Sequence, residues 1–378
     1  MGGWASLSRR AVKKVAALAL ALACSGAAVA DVESAFDGAS SAPMRRRTIE
    51  RSRKLLADVL ELYPGTTVAV ALDDRILWSA GFGYANVARQ IPVASTTQFR
   101  VDRVSEALTA TALVRLSEEG RLDLDAPVQR YLPGFPEKAY PITARQLAAH
   151  LAGIPALPAE RWAARRHCAQ PEEALRPFAS LPLTRLPGTR FLHSMPGYVV
   201  LSAVVAAACD HDFVSCLQEK VFRPAGMTST ALDDPRSPAP RLATPYERGW
   251  FGMLSVAPPL DNTCKWGSGG FVSTAEDLAR FGMALQRGEL IRRESLPLLF
   301  SAQRTSSGES TGWGLGWQIG VAGGGRRRLV QSGRTIGGRS VLVLVPESRL
   351  AVAVLANVDG EHLDDHALKI ADLFAEPE

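Results

Sequence analysis

Arg103 and Glu106 are two charged side chains that stand three positions apart at the start of a predicted helix. On a helix, residues at this spacing share a face, so the two could form an ion pair. Acyl transfer through a serine needs an attacking hydroxyl and a base at the same spacing. Arg103 has no hydroxyl, and a guanidinium with a pKa above about 12 cannot act as a base. The pair therefore predicts charge pairing or anion binding rather than nucleophilic attack.

A displaced serine nucleophile is not found in the sequence. None of the seven lysines has a serine three residues before it. Ser105 is turned about 200° around the helix from Arg103 and should face away from it. Ser268 has Trp266 rather than glycine two residues before it, so a Gly-x-Ser-x-Gly elbow is absent.

Two histidine patterns offer rival sites. His193 directly precedes Ser194, and the two could be a rebuilt Ser–His pair, but neighbours in sequence point apart on most backbones. His362 and His366 have the i, i+4 spacing of metal ligands, with two aspartates between them. We favour a solvated C-terminal helix for the second pattern and predict no metal and no cofactor.

A series of motifs runs along the chain in a fixed order. They occupy residues 99–110, 116–128, 142–155, 187–191, 222–227 and 265–278. In composition and order they resemble the serine β-lactamase and penicillin-binding-protein family, in the branch that includes class C β-lactamases, related esterases and the mitochondrial β-lactamase-like protein. The resemblance extends over about residues 65 to 357 and implies the β-lactamase/transpeptidase-like fold.

By this resemblance, all three catalytic motifs of the family are altered. The matching positions are Arg103 and Glu106 for Ser-x-x-Lys, His193 and Met195 for Tyr-x-Asn, and Gln331 and Gly333 for Lys/His-x-Gly. The hydroxyl, the base, the phenol, the amide and the cation are all replaced. His193 could still move a proton near neutral pH, whereas Met195 can only pack. Gly333 retains the close backbone approach beside the cleft.

The joint loss of these groups predicts a pseudoenzyme. Its former cleft would bind a peptide-like or cell-wall-like ligand, or a protein partner, through Arg103, Glu106, His193, Gln331 and Gly333. The alternative is an enzyme of the serine-hydrolase class (β-lactamase, D-Ala-D-Ala peptidase or esterase) with substituted residues, acting through His193 or a bound water. Arg103 either pairs with Glu106 or clamps a ligand carboxylate, for which its planar fork is suited. The sequence leaves both roles open.

Strand patterns lie at the two ends of the chain and helical patterns lie between them. The predicted elements are a helix over 44–62, strands over 66–72, 76–84, 315–321, 328–331, 340–345 and 350–356, and a closing helix over 362–374. The region from about 104 to 303 is helical. We predict an α/β (α+β) domain over 44–378, with one antiparallel sheet from about 65–100 and 315–357 and an inserted helical lobe.

Residues 1–30 are typical of a cleaved secretion signal, with four basic residues before an apolar run over 15–23 and Ala-Val-Ala at 28–30. Residues 31–43 are predicted to be a flexible lead-in. The expected location is periplasmic or secreted. Sec and Tat export both remain open, and a lipoprotein anchor at Cys24 is disfavoured because Ala21 replaces the usual leucine. A membrane span needs about 18 to 20 consecutive apolar residues, and no later stretch reaches that length.

The charge balance excludes a nucleic-acid-binding role. Removing residues 1–30 removes four basic and no acidic residues, so the formal net charge falls from +5 to +1. The arginine clusters at 45–47 and 326–328 are interpreted as solvated surface because no aromatic residues are interleaved with them.

Four cysteines follow the signal, namely Cys168, Cys209, Cys216 and Cys264. Their irregular spacing excludes a Cys-x-x-Cys zinc site. On one continuous helix, Cys209 and Cys216 would lie about 10 Å apart along the axis, too far to form a disulfide. Any bridge should therefore involve Cys168, and buried free thiols are the alternative.

Overall fold

A computed structural model describes residues 43–60, 62–157, 166–249 and 252–375. The predicted signal (1–30) and all of the predicted lead-in except its last residue lie outside the described residues. The helices are α1 Pro43–Leu60, α2 Val104–Glu118, α3 Ala144–Ala148, α4 Pro171–Leu175, α5 Met195–Cys209, α6 Phe213–Leu217, α7 Ala275–Arg287, α8 Leu296–Phe300 and α9 Leu363–Ala375. The strands are β1 Gly65–Leu72, β2 Arg75–Asn86, β3 Ile91–Pro92, β4 Phe99–Arg100, β5 Ala231–Leu232, β6 Tyr246–Arg248, β7 Leu254–Val256, β8 Phe271–Ser273, β9 Gln318–Val321, β10 Arg327–Thr335, β11 Gly338–Val345 and β12 Leu350–Ala356.

A seven-stranded antiparallel sheet forms the centre of the fold, in the order β3-β2-β1-β12-β11-β10-β9. The two chain ends meet where β1 pairs with β12, with Val68 opposite Val354. Both faces of the central strands are buried, which explains their nearly continuous apolar sequence. One face packs on α1 and α9, through residues such as Leu56 and Ile370, and the other packs on α7 and the helical lobe. The predicted α+β architecture, with a sheet from both ends and an inserted lobe, is confirmed. The region over about 104–303, predicted to be helical, also contains the short strands β5 to β8.

Two strand bounds near the cleft differ from those predicted. β9 begins at Gln318 rather than at 315, because Gly316 takes φ +76° and the Leu315 N–H donates to the Leu298 carbonyl instead of to a strand. β10 continues beyond 331 to Thr335, which pairs with Gly338 across a tight turn. Gly337 in this turn has φ +69°, a conformation that favours glycine. The longer β10 carries Gly333 and Arg334 alongside the start of α2.

Helix α2 is the central helix of the lobe. It is apolar around most of its circumference, and twelve of its residues are buried, as expected for a core helix. Gly267 lies between α2 and α5. A Cβ at this glycine would lie 2.3 Å from Thr109 Oγ1 on α2 and 2.8 Å from Ser202 Oγ on α5. This close packing fixes the start of α2 relative to the start of α5.

The prediction that Cys209 and Cys216 are too far apart to bridge was wrong. They form a disulfide with their Cα atoms 6.0 Å apart. The assumed continuous helix is broken, because Asp210 ends α5 in the left-handed conformation (φ 56°). Asp212 then caps α6 by accepting the Ser215 N–H, and the chain bends by 76°. The second disulfide joins Cys168 to Cys264, so one bridge does involve Cys168.

Within the described residues, no single helix is both long and apolar enough to cross a membrane. By length and composition alone, the bent pair formed by α5 and residues Phe213–Phe222 passes the same test.

The two disulfides should differ in their contribution to stability. They link cysteines 96 and 7 positions apart in sequence, and the entropy that a cross-link removes from the unfolded chain grows with loop length. Replacing Cys168 and Cys264 together by serine should lower the free energy of unfolding by about 4 to 5 kcal/mol, against roughly 2 to 3 kcal/mol for the matched Cys209 and Cys216 double variant. Urea unfolding without reductant measures both. Equal losses in the two variants would contradict the loop-length argument.

Candidate functional site

Four side chains from distant parts of the sequence meet near the start of α2. Glu106 lies on the first turn of this helix and is fully buried. Its Oε1 is 3.4 Å from His193 Nε2, and its Oε2 is 3.5 Å from His150 Nε2. Gln331 Nε2, on β10, is 3.4 Å from the same Oε2 and 2.7 Å from the Gly316 carbonyl oxygen. The structure thus brings together three of the residues singled out in the sequence, around one carboxylate.

Local backbone structure sets the positions of the two histidines. Helix α3 begins with a capping box between Thr143 and Gln146. His150 follows this helix and has φ +56°. Its carbonyl accepts the Leu192 N–H, and its Nδ1 accepts the Ser194 N–H at 3.2 Å. His193 therefore lies on an extended segment that is tied to His150 on both sides.

Ser194 does not form the nucleophile of a rebuilt Ser–His pair. Its Oγ accepts the Gly197 N–H at 3.2 Å and so serves as the N-cap of α5. Met195 is the first residue of α5. Ser105, the other nearby hydroxyl, is fully buried on α2, as expected for a residue turned away from the cleft.

The hydrogen positions at the buried cluster follow from the hydrogen-bond partners. Because His150 Nδ1 accepts a backbone N–H, the neutral ring carries its hydrogen on Nε2, which points toward Glu106. A carboxylate only accepts, so Nε2 of His193 also carries a hydrogen. Both N···O distances are longer than an ordinary hydrogen bond, so the stabilisation is mainly electrostatic.

The charges in this cluster are set by competing effects. Burial raises the pKa of Glu106, but His193 and His150 outweigh it and lower the pKa to about 2. Burial lowers the pKa of His150 below 6.5; Glu106 opposes this shift, and the positive charge of Arg103 adds to it. At neutral pH the cluster therefore consists of a Glu106 carboxylate and a neutral His150 imidazole.

Arg103 is not paired with Glu106, so the ion-pair alternative drawn from their spacing was wrong. The Glu106 carboxylate is already surrounded by the two imidazoles and the Gln331 amide. The Arg103 side chain is half-buried and makes no hydrogen bond or ion pair with the part of the chain that the structure describes. Its backbone N–H also has no acceptor among those residues. Arg103 thus presents a free cation and a free amide.

Gly333 of β10 packs directly against the backbone at the start of α2. A Cβ at this position would lie 2.4 Å from the Val101 carbonyl oxygen, 2.5 Å from Ser340 Oγ and 3.0 Å from Arg103 N. Only glycine allows β10 to approach this closely. This contact is the one feature that the site shares with the family motif at its third position.

The amide of Arg334, the next residue on β10, is occupied by Asp102. Arg334 N–H donates to Asp102 Oδ2 at 3.0 Å. Asp102 Oδ1 lies 3.5 Å from Lys265 Nζ, which donates to Thr335 Oγ1. Asp102 is buried with φ +40°, a strained conformation for a non-glycine residue. A backbone N–H beside the cleft that could have polarised a substrate carbonyl is therefore already bonded.

An aromatic wall, formed by Phe191 and Trp313, borders the imidazoles. Their rings stack with centroids 5.5 Å apart. Trp313 also packs edge-on against His150 at 5.6 Å and lies 6.1 Å from the His193 ring. Both wall residues are half-buried and provide an apolar surface next to the charged groups.

The potential ligand atoms of Glu106, His150 and His193 lie within 4.8 Å of one another, close enough to surround one metal ion. Zinc bound to His150 Nε2 would place the ring hydrogen on Nδ1, and a ligating histidine normally donates that hydrogen to an acceptor. Here Nδ1 faces the Ser194 N–H, so two donors would oppose each other. This three-residue set does not fit zinc as it is arranged.

The second histidine pattern forms no comparable cluster. His366 Nδ1 lies 2.6 Å from the His362 carbonyl oxygen, and His362 Nδ1 lies 3.5 Å from Asp365 on the exposed surface of α9. Among the residues described, Glu106, His150 and His193 form the single group with metal-ligand geometry.

Several residues of the site were missed at the sequence level. His150 lies inside a recognised motif segment, which was a usable signal for its position but not for its partner. Asp102 adjoins the first motif, and Lys265 is the first residue of the motif segment 265–278, which likewise gave no indication of its partner. Trp313 carries no local signal of a role here, because only the tertiary fold brings it to this site.

The structure combines an antiparallel sheet from both chain ends, an inserted lobe and a close approach of α2 to β10. These features define the β-lactamase/transpeptidase-like fold. Residues 53–376 match the family described as Beta-lactamase, and the chain belongs to this family of serine hydrolases. It is similar to the mouse mitochondrial serine beta-lactamase-like protein LACTB, with 27% identity over 86% of this chain and 80% of that protein.

Two solved structures show the same fold. A penicillin-binding protein from Bacillus halodurans gives a TM-score of 0.72 at 24% identity, covering 86% of this chain and 97% of that one. A D-stereospecific amidohydrolase from Streptomyces gives 0.72 at 20% identity, covering 86% and 98%.

The buried Glu106 carboxylate predicts a loss of stability in acid. Its pKa of about 2 lies below the ordinary value of 4.5, so the unfolded state binds more protons between these values. Ionised Glu106 contributes its full stabilisation of the folded state above pH 4.5. This contribution, at most about 3 kcal/mol, is lost as the pH falls toward 2. His150, whose pKa is also lowered, adds a loss that begins below about pH 6.5.

Urea unfolding of the wild type and of Glu106→Gln between pH 7 and pH 3 checks this dependence. The variant should show a shallower decline of the unfolding free energy below pH 4.5, because it has no carboxylate to protonate. Parallel declines in the two proteins would show that Glu106 is not the responsible group.

Proposed function

We propose that this protein is a secreted, periplasmic member of the family that has lost acyl-serine chemistry and binds a carboxylate-bearing, peptide-like ligand in the former catalytic cleft. The observation that carries the proposal is the Arg103 guanidinium, which makes no hydrogen bond or ion pair with any residue that the structure describes. It stands where the family has its nucleophilic serine, while the neighbouring Glu106 carboxylate lies against His150, His193 and Gln331.

Three features argue against acyl transfer. The nucleophile position holds Arg103, and the base position holds Glu106, an anion with a lowered pKa that has no hydroxyl to activate. Ser105 is fully buried in the helix. The Arg334 N–H is bonded to Asp102 and is not free to stabilise an oxyanion.

Three features favour anion binding at Arg103. A guanidinium can hold a carboxylate through two parallel hydrogen bonds. Arg103 immediately precedes α2, a helix of 15 residues whose N-terminal end carries a partial positive charge. The other nearby cations are paired, Lys265 with Asp102 and Arg334 with Asp359, so they do not compete for a ligand.

The peptide-like character of the ligand rests on the cleft wall and on the relatives. Phe191 and Trp313 offer an apolar surface to a side chain beside the anion position. The similar structures are named as a penicillin-binding protein and a D-stereospecific amidohydrolase. A ligand of related chemistry is the simplest occupant of a cleft that keeps the fold and has lost the nucleophile.

A second candidate function is hydrolysis through a water activated by His193. It is favoured by the Glu106 carboxylate behind the ring, which resembles the arrangement of a carboxylate that orients a catalytic histidine. Turnover of a p-nitrophenyl ester that disappears in Glu106→Gln would support it.

A covalent probe tests the loss of acyl-serine chemistry. We expect no labelling by a fluorescent fluorophosphonate or by a fluorescent penicillin, because the site has no activated hydroxyl. Gel fluorescence and intact mass measure the result, with an active serine β-lactamase as the positive control. Labelling that vanishes in Ser105→Ala or Ser194→Ala would overturn the proposal.

Calorimetric titration with N-acetyl-D-alanyl-D-alanine tests the role of Arg103. Arg103→Ala should weaken binding roughly 10- to 150-fold, which corresponds to about 1.5 to 3 kcal/mol for a charged hydrogen bond. The matched control is Arg349→Ala, at the opposite end of β11 from Gly333, where the side chain is exposed and paired with Asp73. The control should bind like the wild type. Unchanged affinity in Arg103→Ala would leave Arg103 as a structural charge.

A further inference from the structure

We propose that His193 presents a hydrogen-bond acceptor to the ligand, so that the cleft selects a carboxylate ligand bearing an adjacent N–H and rejects the ester isostere. This inference rests on the proposed function and specifies its ligand. The expected ligand class is a peptide C-terminus, in which the amide N–H lies next to the terminal carboxylate, rather than a depsipeptide of the same shape.

The acceptor character of His193 follows from its partner. Its Nε2 lies 3.4 Å from Oε1 of the fully buried, ionised Glu106. A carboxylate cannot donate, so the imidazole hydrogen is on Nε2. In the neutral ring the other nitrogen, Nδ1, then carries a lone pair and can only accept.

This lone pair is open to a ligand. Nε2 of His193 is buried and makes no hydrogen bond to the described residues, whereas Nδ1 is not one of the buried atoms that lack a partner, and 25% of the side chain is exposed. Nδ1 has no hydrogen-bond partner within the described ranges. The ring is held on one side by His150, at a centroid distance of 4.3 Å, and also contacts Trp313. Its orientation is therefore fixed before a ligand arrives.

The positions of Arg103 and His193 are related through Glu106. Arg103 lies one helical turn before Glu106, which His193 contacts directly. The charge of Arg103 also acts on His150, whose ring packs against His193. In a peptide C-terminus one Cα separates the carboxylate from the adjacent N–H, so the proposal assigns the carboxylate to Arg103 and that N–H to His193 Nδ1.

An ester in place of the amide would lose this contact. The ester oxygen has lone pairs and no hydrogen, so it would face the Nδ1 lone pair and leave both groups unsatisfied. Sites built to accept an N–H discriminate strongly against analogues that lack it. We expect the wild type to prefer the peptide by on the order of 100-fold.

The experiment compares N-acetyl-D-alanyl-D-alanine with N-acetyl-D-alanyl-D-lactate. The two probes share the carboxylate and both side chains and differ in one N–H. Calorimetric titrations at pH 8, with chelator present, give the affinity ratio for the wild type, His193→Phe and Glu106→Gln. Near-UV circular dichroism and thermal unfolding establish that each variant is folded.

Both variants should reduce the preference to less than about 5-fold. His193→Phe keeps a ring against Trp313 and His150 but removes the acceptor. Glu106→Gln leaves the ring in place but no longer fixes its hydrogen on Nε2, so the tautomer with the hydrogen on Nδ1 can form and donate to the ester. Glu106 is thus a positioning residue, and its signature is the change in the affinity ratio rather than a general loss of binding.

The outcomes separate this inference from the proposed function. If both probes bind the wild type equally, and both depend on Arg103, the inference about His193 is wrong and the proposed function stands. If neither probe binds, both are wrong. If binding appears only when zinc replaces the chelator, His193 acts as a metal ligand and the acceptor role is overturned. The wild-type comparison decides the question even if a variant does not fold.

Discussion

The buried negative charge of Glu106 is the constraint on which the site depends. A carboxylate removed from water inside a core helix is costly unless hydrogen-bond donors or cations surround it. His150, His193 and Gln331 meet this requirement, and they come from the end of α3, the segment before α5 and strand β10. The charge therefore couples the helical lobe to the sheet, because the native arrangement of both is needed to satisfy it.

The same arrangement decides what Arg103 can do. Had the carboxylate been satisfied by the guanidinium one turn earlier, the cleft would present no free charge. Because the imidazoles and the amide hold Glu106 from the interior, Arg103 keeps its hydrogen-bonding capacity at the positive end of α2. Asp102 is likewise held by Lys265 and the Arg334 N–H, and so does not neutralise Arg103. Among the described residues at the start of α2, these two internal acid clusters thus leave the Arg103 cation available.

The sequence predicted those parts of the structure that depend on local pattern. The apolar strand patterns at both chain ends predicted the sheet. The motif order predicted that Glu106, His193 and Gln331 lie close together at the cleft. The pairing of Glu106 could not be predicted, because its partner His150 approaches from a segment 44 residues away and its orientation depends on a contact with Ser194. The Cys209–Cys216 bridge was excluded by assuming a continuous helix, and one left-handed residue, Asp210, invalidated that assumption.

The altered motif positions form one interdependent unit rather than separate losses. A lysine at position 106 would place a second cation beside two imidazoles and remove the anion that fixes their hydrogens. A serine at position 103 would still face an Arg334 N–H occupied by Asp102. A tyrosine at position 193 would have to fit between His150 and the wall formed by Phe191 and Trp313. Each change toward the family motif is therefore disfavoured while the others remain, since residues that share one buried network do not contribute additively.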